Sequence, residues 1–147
     1  MISRVLLSAL VLMAAASCGK GLHQADDRGC PSVAEIKTMP FHDERGVDAA
    51  YDRLRFDAAC EAVLIEALDN TQKMPDPRQM PTDARFAVSD AALFILMERR
   101  SLEIEQVLPD DVAARLKDRG IYAYFDYVAR PAGRTAVVDR LRQPVRK

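Results

Sequence analysis

Few side chains in this sequence are suited to chemistry, and most of them have a plain structural reading beside the chemical one. His23 and His42 are the only imidazoles. His42 is followed by Asp43 and Glu44, carboxylates that can tune an imidazole or help ligate a cation. The same residues also make an ordinary solvated connector. Cys30 and Cys60 have no histidine at a matching interval, so they form a poor metal pair. No Gly-x-Ser-x-Gly, His-Glu-x-x-His or phosphate-cradling glycine motif is present. Neither a metal nor an organic cofactor is therefore expected, nor are catalytic residues. Asp110 and Asp111 can hold a cation, or simply open a helix. Tyr122, Tyr124, Phe125 and Tyr127 can form a sugar- or peptide-binding platform, or core.

The best candidate for binding is a loop, Met74-Pro75-Asp76-Pro77-Arg78. Asp76 and Arg78 carry opposite charges among prolines that limit disorder, and a stiff loop loses less entropy on binding. The alternative is a local salt bridge that fixes the chain between two helix layers. Asp90 lies further along and offers Arg78 a second partner. Asp76, Arg78 and Asp90 are thus the candidate binding residues.

The elements that must position these residues read as helices. Pro31 to Met39 suits a short helix capped by Ser32 and stopped by Pro40. Val47, Ala50, Tyr51 and Leu54 follow the i, i+3, i+4, i+7 spacing of an amphipathic helix. Cys60, Val63, Leu64, Ala67 and Leu68 form the buried stripe of the next, after a break at Phe56-Asp57. Residues 70–85 carry three prolines and read as irregular. Phe86 to Arg100 is apolar all round and should be the central helix, with Asp90 at its start and Glu98-Arg99-Arg100 marking its exit to solvent. Pro109-Asp110-Asp111 opens a further helix that Gly120 ends. Residues 121–129 fit helix or strand; helix is preferred because no second strong strand is available to pair. Pro131 opens the last helix, through Leu141. Arg130, Arg134, Arg140, Arg142, Arg146 and Lys147 face only Asp139 there, which reads as a solvated face or as a patch for anionic lipid or an acidic partner.

Several of these segments together look familiar: Tyr51-Asp52-x-Leu54, Ala62-Val63-Leu64-Ile65, the Met74-Pro75-Asp76-Pro77-Arg78 loop and Phe86-Ala87-Val88-Ser89-Asp90. Across residues 47–108 the chain resembles a group of small exported bacterial proteins with HEAT-like helical hairpins, whose function is uncharacterised. The resemblance implies a helix-on-helix fold and brings no activity or catalytic residues. The expected fold is all-α, a compact bundle of about five to six helices with HEAT-like hairpins.

The first residues carry an address. Arg4 gives the amino terminus one positive charge, and Val5 to Ala16 is an apolar run too short to span a bilayer comfortably. It ends in Ala15-Ala16-Ser17-Cys18-Gly19, which resembles the lipobox of bacterial lipoproteins. Ala15 departs from the leucine usual at its position. The resemblance implies lipidation of Cys18, with residues 1–17 as signal peptide, 18–30 as tether and 31–147 as one helical domain. Gly19, rather than Asp, after the cysteine implies the outer membrane, facing the periplasm. The alternative is cleavage at Ala14-Ala15-Ala16, giving a soluble periplasmic or secreted protein. Export sets Cys30 and Cys60 in an oxidising compartment, where they can form one disulfide; the alternative is two unpaired thiols.

Charge excludes one function class. The chain has 21 Lys and Arg against 22 Asp and Glu, a formal charge of −1, and loss of Arg4 with the signal makes the remainder one unit more negative. A general nucleic-acid binder would carry a basic excess. The expected function is an envelope-anchored lipoprotein, a non-enzymatic helical module that binds an envelope protein, one version being an immunity or inhibitor protein. The alternatives are an enzyme acting on envelope carbohydrate or peptide, and a structural component of an envelope assembly.

Overall fold

Helix ends in this chain are set by residues that satisfy the N–H groups a first turn leaves unpaired. The computed structural model describes residues 29–43, 46–76 and 85–143. Within them the order is α1 (Val33–Thr38), β1 (His42–Asp43), β2 (Gly46–Val47), α2 (Ala49–Phe56), α3 (Glu61–Ala67), α4 (Val88–Arg99), α5 (Asp110–Arg119), α6 (Tyr122–Val128) and α7 (Pro131–Arg142). Turns of 3-10 helix precede α3 at Ala58–Cys60 and α5 at Ile104–Gln106.

The caps follow from the sequence. Ser32 Oγ accepts the Glu35 N–H at 3.3 Å, and Glu35 returns a carboxylate to the Ser32 N–H at 2.7 Å. This reciprocal pair starts α1. Asp48 accepts from the N–H groups of Ala50 and Tyr51 to start α2, and Asp57 accepts from Ala59 to turn the chain toward α3. Pro131 occupies the first turn of α7, where its missing N–H costs nothing. Gly120 closes α5 at φ +55°, a backbone region that favours glycine.

The fold is all-α apart from one small hairpin. α4 is its shared element: α1, α2 and α3 pack on it from the amino-terminal part of the chain, and α7 from the carboxy-terminal part. α5, α6 and α7 then pack in succession. From Val88 to Met97 every α4 residue except Phe94 is buried, including Ser89 and Asp90. This matches the all-round apolar character of the segment. Phe86, Phe94, Tyr124 and Phe125 stack or meet edge-on between α4 and α6, with centroids 5.1–6.4 Å apart. At the α6–α7 junction Gly133 lies against the Tyr127 carbonyl, and a Cβ there would sit 2.2 Å from its oxygen.

Cys30 and Cys60 form a disulfide with Cα atoms 5.2 Å apart, tying the segment ahead of α1 to the turn ahead of α3. The irregular segment after α3 turns back on the start of α4. Met74 N–H donates to Phe86 O at 3.1 Å, and Val88 and Ser89 N–H groups donate to Gln72 O and Asn70 O. The base of the proline-rich loop is thereby closed on itself.

The seven α-helices among the described residues form the expected compact all-α bundle, and two other sequence expectations change. In the expected connector, His42 and Asp43 instead form an antiparallel pair with the following strand, His42 opposite Val47 and Asp43 opposite Gly46. Two residues per strand are too few to show alternation in sequence. Arg99 and Arg100 do not exit to solvent; both fold back on the amino-terminal helices, as described next.

Candidate functional site

The polar centre of the fold is Asp90. Its position at the third residue of α4 lets Oδ2 accept the Ala87 N–H at 2.8 Å, which supplies the cap that Ala87 lacks. Its other oxygen, Oδ1, accepts from the Tyr124 hydroxyl at 2.6 Å and from Arg134 Nη1 at 3.1 Å. Arg134 Nη1 also donates to Ser89 Oγ at 2.6 Å. Asp90 is fully buried and the Arg134 side chain is 20% exposed. A buried carboxylate is tolerable only with such partners. Three helices, α4, α6 and α7, thus meet at one neutral pair.

Arg134 leads to the surface. It lines an open cleft of about 530 Å³ between the end of α3 and α7. Leu68, Val128 and Val138 give the cleft apolar walls; Lys73, Asp139 and the Arg142–Asp69 pair add charge. Lys73 Nζ donates to the Arg85 carbonyl at 2.8 Å.

A second network ties the two parts of the chain together. Glu61 receives Arg99 Nε at 3.2 Å and Arg100 through both Nε and Nη2. Arg99 Nη1 donates to the carbonyls of Leu54, Arg55 and Asp57, closing the carboxy-terminal end of α2. Arg100 reaches on to the Leu141 carbonyl of α7. The Arg100 hydrogen bonds, then those of Arg99, hold the Glu61 carboxyl below its ordinary range against the opposing effect of burial. On α2, burial and then a 2.9 Å hydrogen bond to Glu98 push the Tyr51 phenol up to about 12.

The sequence-derived candidates fall in different parts of the chain, some of them outside the described residues. Asp76 is half-buried at the edge of the described segment. Arg78 and the proposed lipidation site Cys18 lie outside the described residues, as does His23. Asp90 is fully buried, and among the described residues the cation that reaches it is Arg134, 44 residues away in sequence. The four aromatics of residues 122–127 are chiefly core: Tyr124 and Phe125 are buried, and Tyr122 and Tyr127 are half-buried, each beside an arginine, Arg85 and Arg130. Asp111 pairs with Arg115 at 3.6 Å on the surface of α5. Of the basic carboxy-terminal residues, Arg134 turns inward and Arg142 pairs with Asp69, while Arg146 and Lys147 lie outside the described residues. The Cys30 and Cys60 sulfurs are bonded to each other beside the Asp57 carboxylate, so they offer no thiolate to a metal.

Sequence reasoning missed Arg134 by grouping it with its charged neighbours. The available signal was Asp90 itself: an acid inside a helix with no polar face requires a cation or several donors. Among the described residues no helix is long and apolar enough to cross a membrane. Compared with known proteins, the chain matches no family model, no curated protein and no solved structure.

Proposed function

We propose that this protein is an envelope-anchored lipoprotein whose helical domain binds another envelope protein through the α3–α7 cleft. One observation carries the binding reading: the cleft wall is held by the buried Arg134–Asp90–Tyr124 network, while the charged rim stays open. A wall fixed before binding loses little entropy when a partner seats on it. The volume lies within the roughly 300–1,000 Å³ typical of ligand clefts.

The anchoring part of the proposal rests on the lipobox resemblance at Cys18, and the location on Gly19 after it. Two or more acyl chains, at about 0.8 kcal/mol per buried CH₂, make anchoring effectively stable. The resemblance to exported proteins with HEAT-like hairpins agrees with a binding role, since one surface of paired helices often serves as a binding face. An immunity or inhibitor protein, which blocks an enzyme at the envelope, is the specific version favoured here.

Crosslinking in intact envelopes tests the proposal. A photoreactive side chain at Thr135, on the cleft wall, should capture one dominant partner in near-equal amount. The Thr71→Trp variant, which fills the cleft, should abolish that capture. Mass spectrometry should find acyl groups on Cys18 and none on a Cys18→Ser version. Capture unaffected by filling the cleft would overturn the binding site, and an unacylated Cys18 would overturn the anchor.

A further inference from the structure

The charges around the cleft do not cancel evenly. Arg134 is neutralised from behind by Asp90, and Arg142 is neutralised at the rim by Asp69. Two charges are left over on the lining, Lys73 and Asp139. Among the described residues, Lys73 Nζ donates to the neutral Arg85 carbonyl and makes no ion pair. The Asp139 carboxylate has no hydrogen bond or ion pair among the described residues. Both residues are exposed on the lining, Lys73 from the segment between α3 and α4 and Asp139 from α7. The space around them is walled by Leu68, Val128 and Val138.

We propose that the cleft takes a short peptide segment of the partner that carries one carboxylate and one basic group, the carboxylate against Lys73 and the basic group against Asp139. The proposal rests on the protein-binding reading above and names the chemistry of the bound segment. Opposed charges at two points of the lining fix the direction in which a segment lies, and a segment of the wrong charge order meets like charge at both. The apolar walls accept the aliphatic stems and backbone between the charged groups. Arg134 is a positioning residue here: its inward bonds set the wall on which the segment lies.

The test uses the full chain in detergent and a set of end-blocked peptides. Each peptide has a lysine and a glutamate separated by one to four alanines, in either order. Controls replace both charges with glutamine. Binding is followed by NMR at the methyl groups of Val128 and Val138. At least one charged peptide should shift those methyls and bind about fivefold or more tightly than its control, the upper range for a solvent-edged ion pair. Lys73→Gln and Asp139→Asn should each remove most of that difference. The double charge swap, Lys73→Glu with Asp139→Lys, should instead prefer the peptide of reversed order. Equal binding of charged and control peptides would overturn the proposal, as would shifts confined to methyls away from the cleft. If no peptide binds while Thr71→Trp still abolishes crosslinking to a partner, the bipolar chemistry is wrong and the binding reading stands.

Discussion

Arg134 Nη1 approaches Asp90 Oδ1 to 3.1 Å, and this contact between α7 and α4 is made inside the protein. The carboxylate simultaneously caps its own helix and receives a hydroxyl from α6. One side chain therefore joins a local function, starting α4, to a global one, docking the carboxy-terminal helices.

Removing that carboxylate takes one acceptor from each of three donors, the Ala87 N–H, the Tyr124 hydroxyl and Arg134 Nη1. Asp90→Ala should lower folding stability by about 3–5 kcal/mol, the range for breaking a buried pair. Tyr124→Phe should cost only about 1 kcal/mol, since it deletes one hydrogen bond and keeps the ring. Urea denaturation measures both. In a double-mutant cycle, Asp90 and Arg134 should couple by more than about 1 kcal/mol.

The difference between what was legible and what was not is visible here. Ser32, Asp48, Gly120 and Pro131 act on backbone groups within a few residues of themselves, so their roles follow from local sequence. The disulfide followed from a count of cysteines and an expected compartment. Residues 122–128 form the helix expected within 121–129, as their helical neighbours suggest. Which of several arginines reaches Asp90 is decided by tertiary packing, and no periodicity encodes it. The inward turn of Arg99 and Arg100 was hidden for the same reason, since their acceptors lie some forty residues away in either direction. The cleft was invisible because its walls come from three separate stretches of chain.

Gly133→Ala tests the closeness of α6 and α7. Alanine improves helix propensity by up to about 1 kcal/mol. Its Cβ would nevertheless sit 2.2 Å from the Tyr127 carbonyl oxygen, a backbone atom that cannot swing away. The variant should lose about 1–3 kcal/mol, as overpacked sites do. A gain in stability on chemical denaturation would show that the two helices part easily.

Glu61 makes stability depend on pH. Its folded-state pKa lies below the ordinary 4.5, so its ionised form favours folding above that value. That contribution is lost as the pH falls through the folded pKa. Glu61→Gln should be less stable than the parent near neutrality, and the gap should close as the pH drops below about 4.5. Thermal unfolding across pH 3–7 measures it (roughly the span over which carboxylates titrate); a gap that stays constant would refute the ion-pair account.

Reducing the Cys30–Cys60 bond should lower stability by about 3–4 kcal/mol on the chain-entropy model for a closed loop of this size, the two cysteines being 30 positions apart. The Cys30→Ala, Cys60→Ala double variant should show a similar loss in denaturant, and should not respond to reductant.

That bond also decides how the domain bears tension. A pull applied ahead of Cys30 travels through the two sulfurs to the start of α3 and from there into α4. Everything between the cysteines, including α1, the small hairpin and α2, lies outside the load path and stays unstretched. If the bond is reduced and this stretch gives way, the chain across the 30-residue separation of the cysteines becomes slack. At about 3.3–3.6 Å per extended residue it lengthens the leash by on the order of 100 Å. Thiol–disulfide exchange at this one point thus sets how far the remaining helices can range from wherever the chain is held.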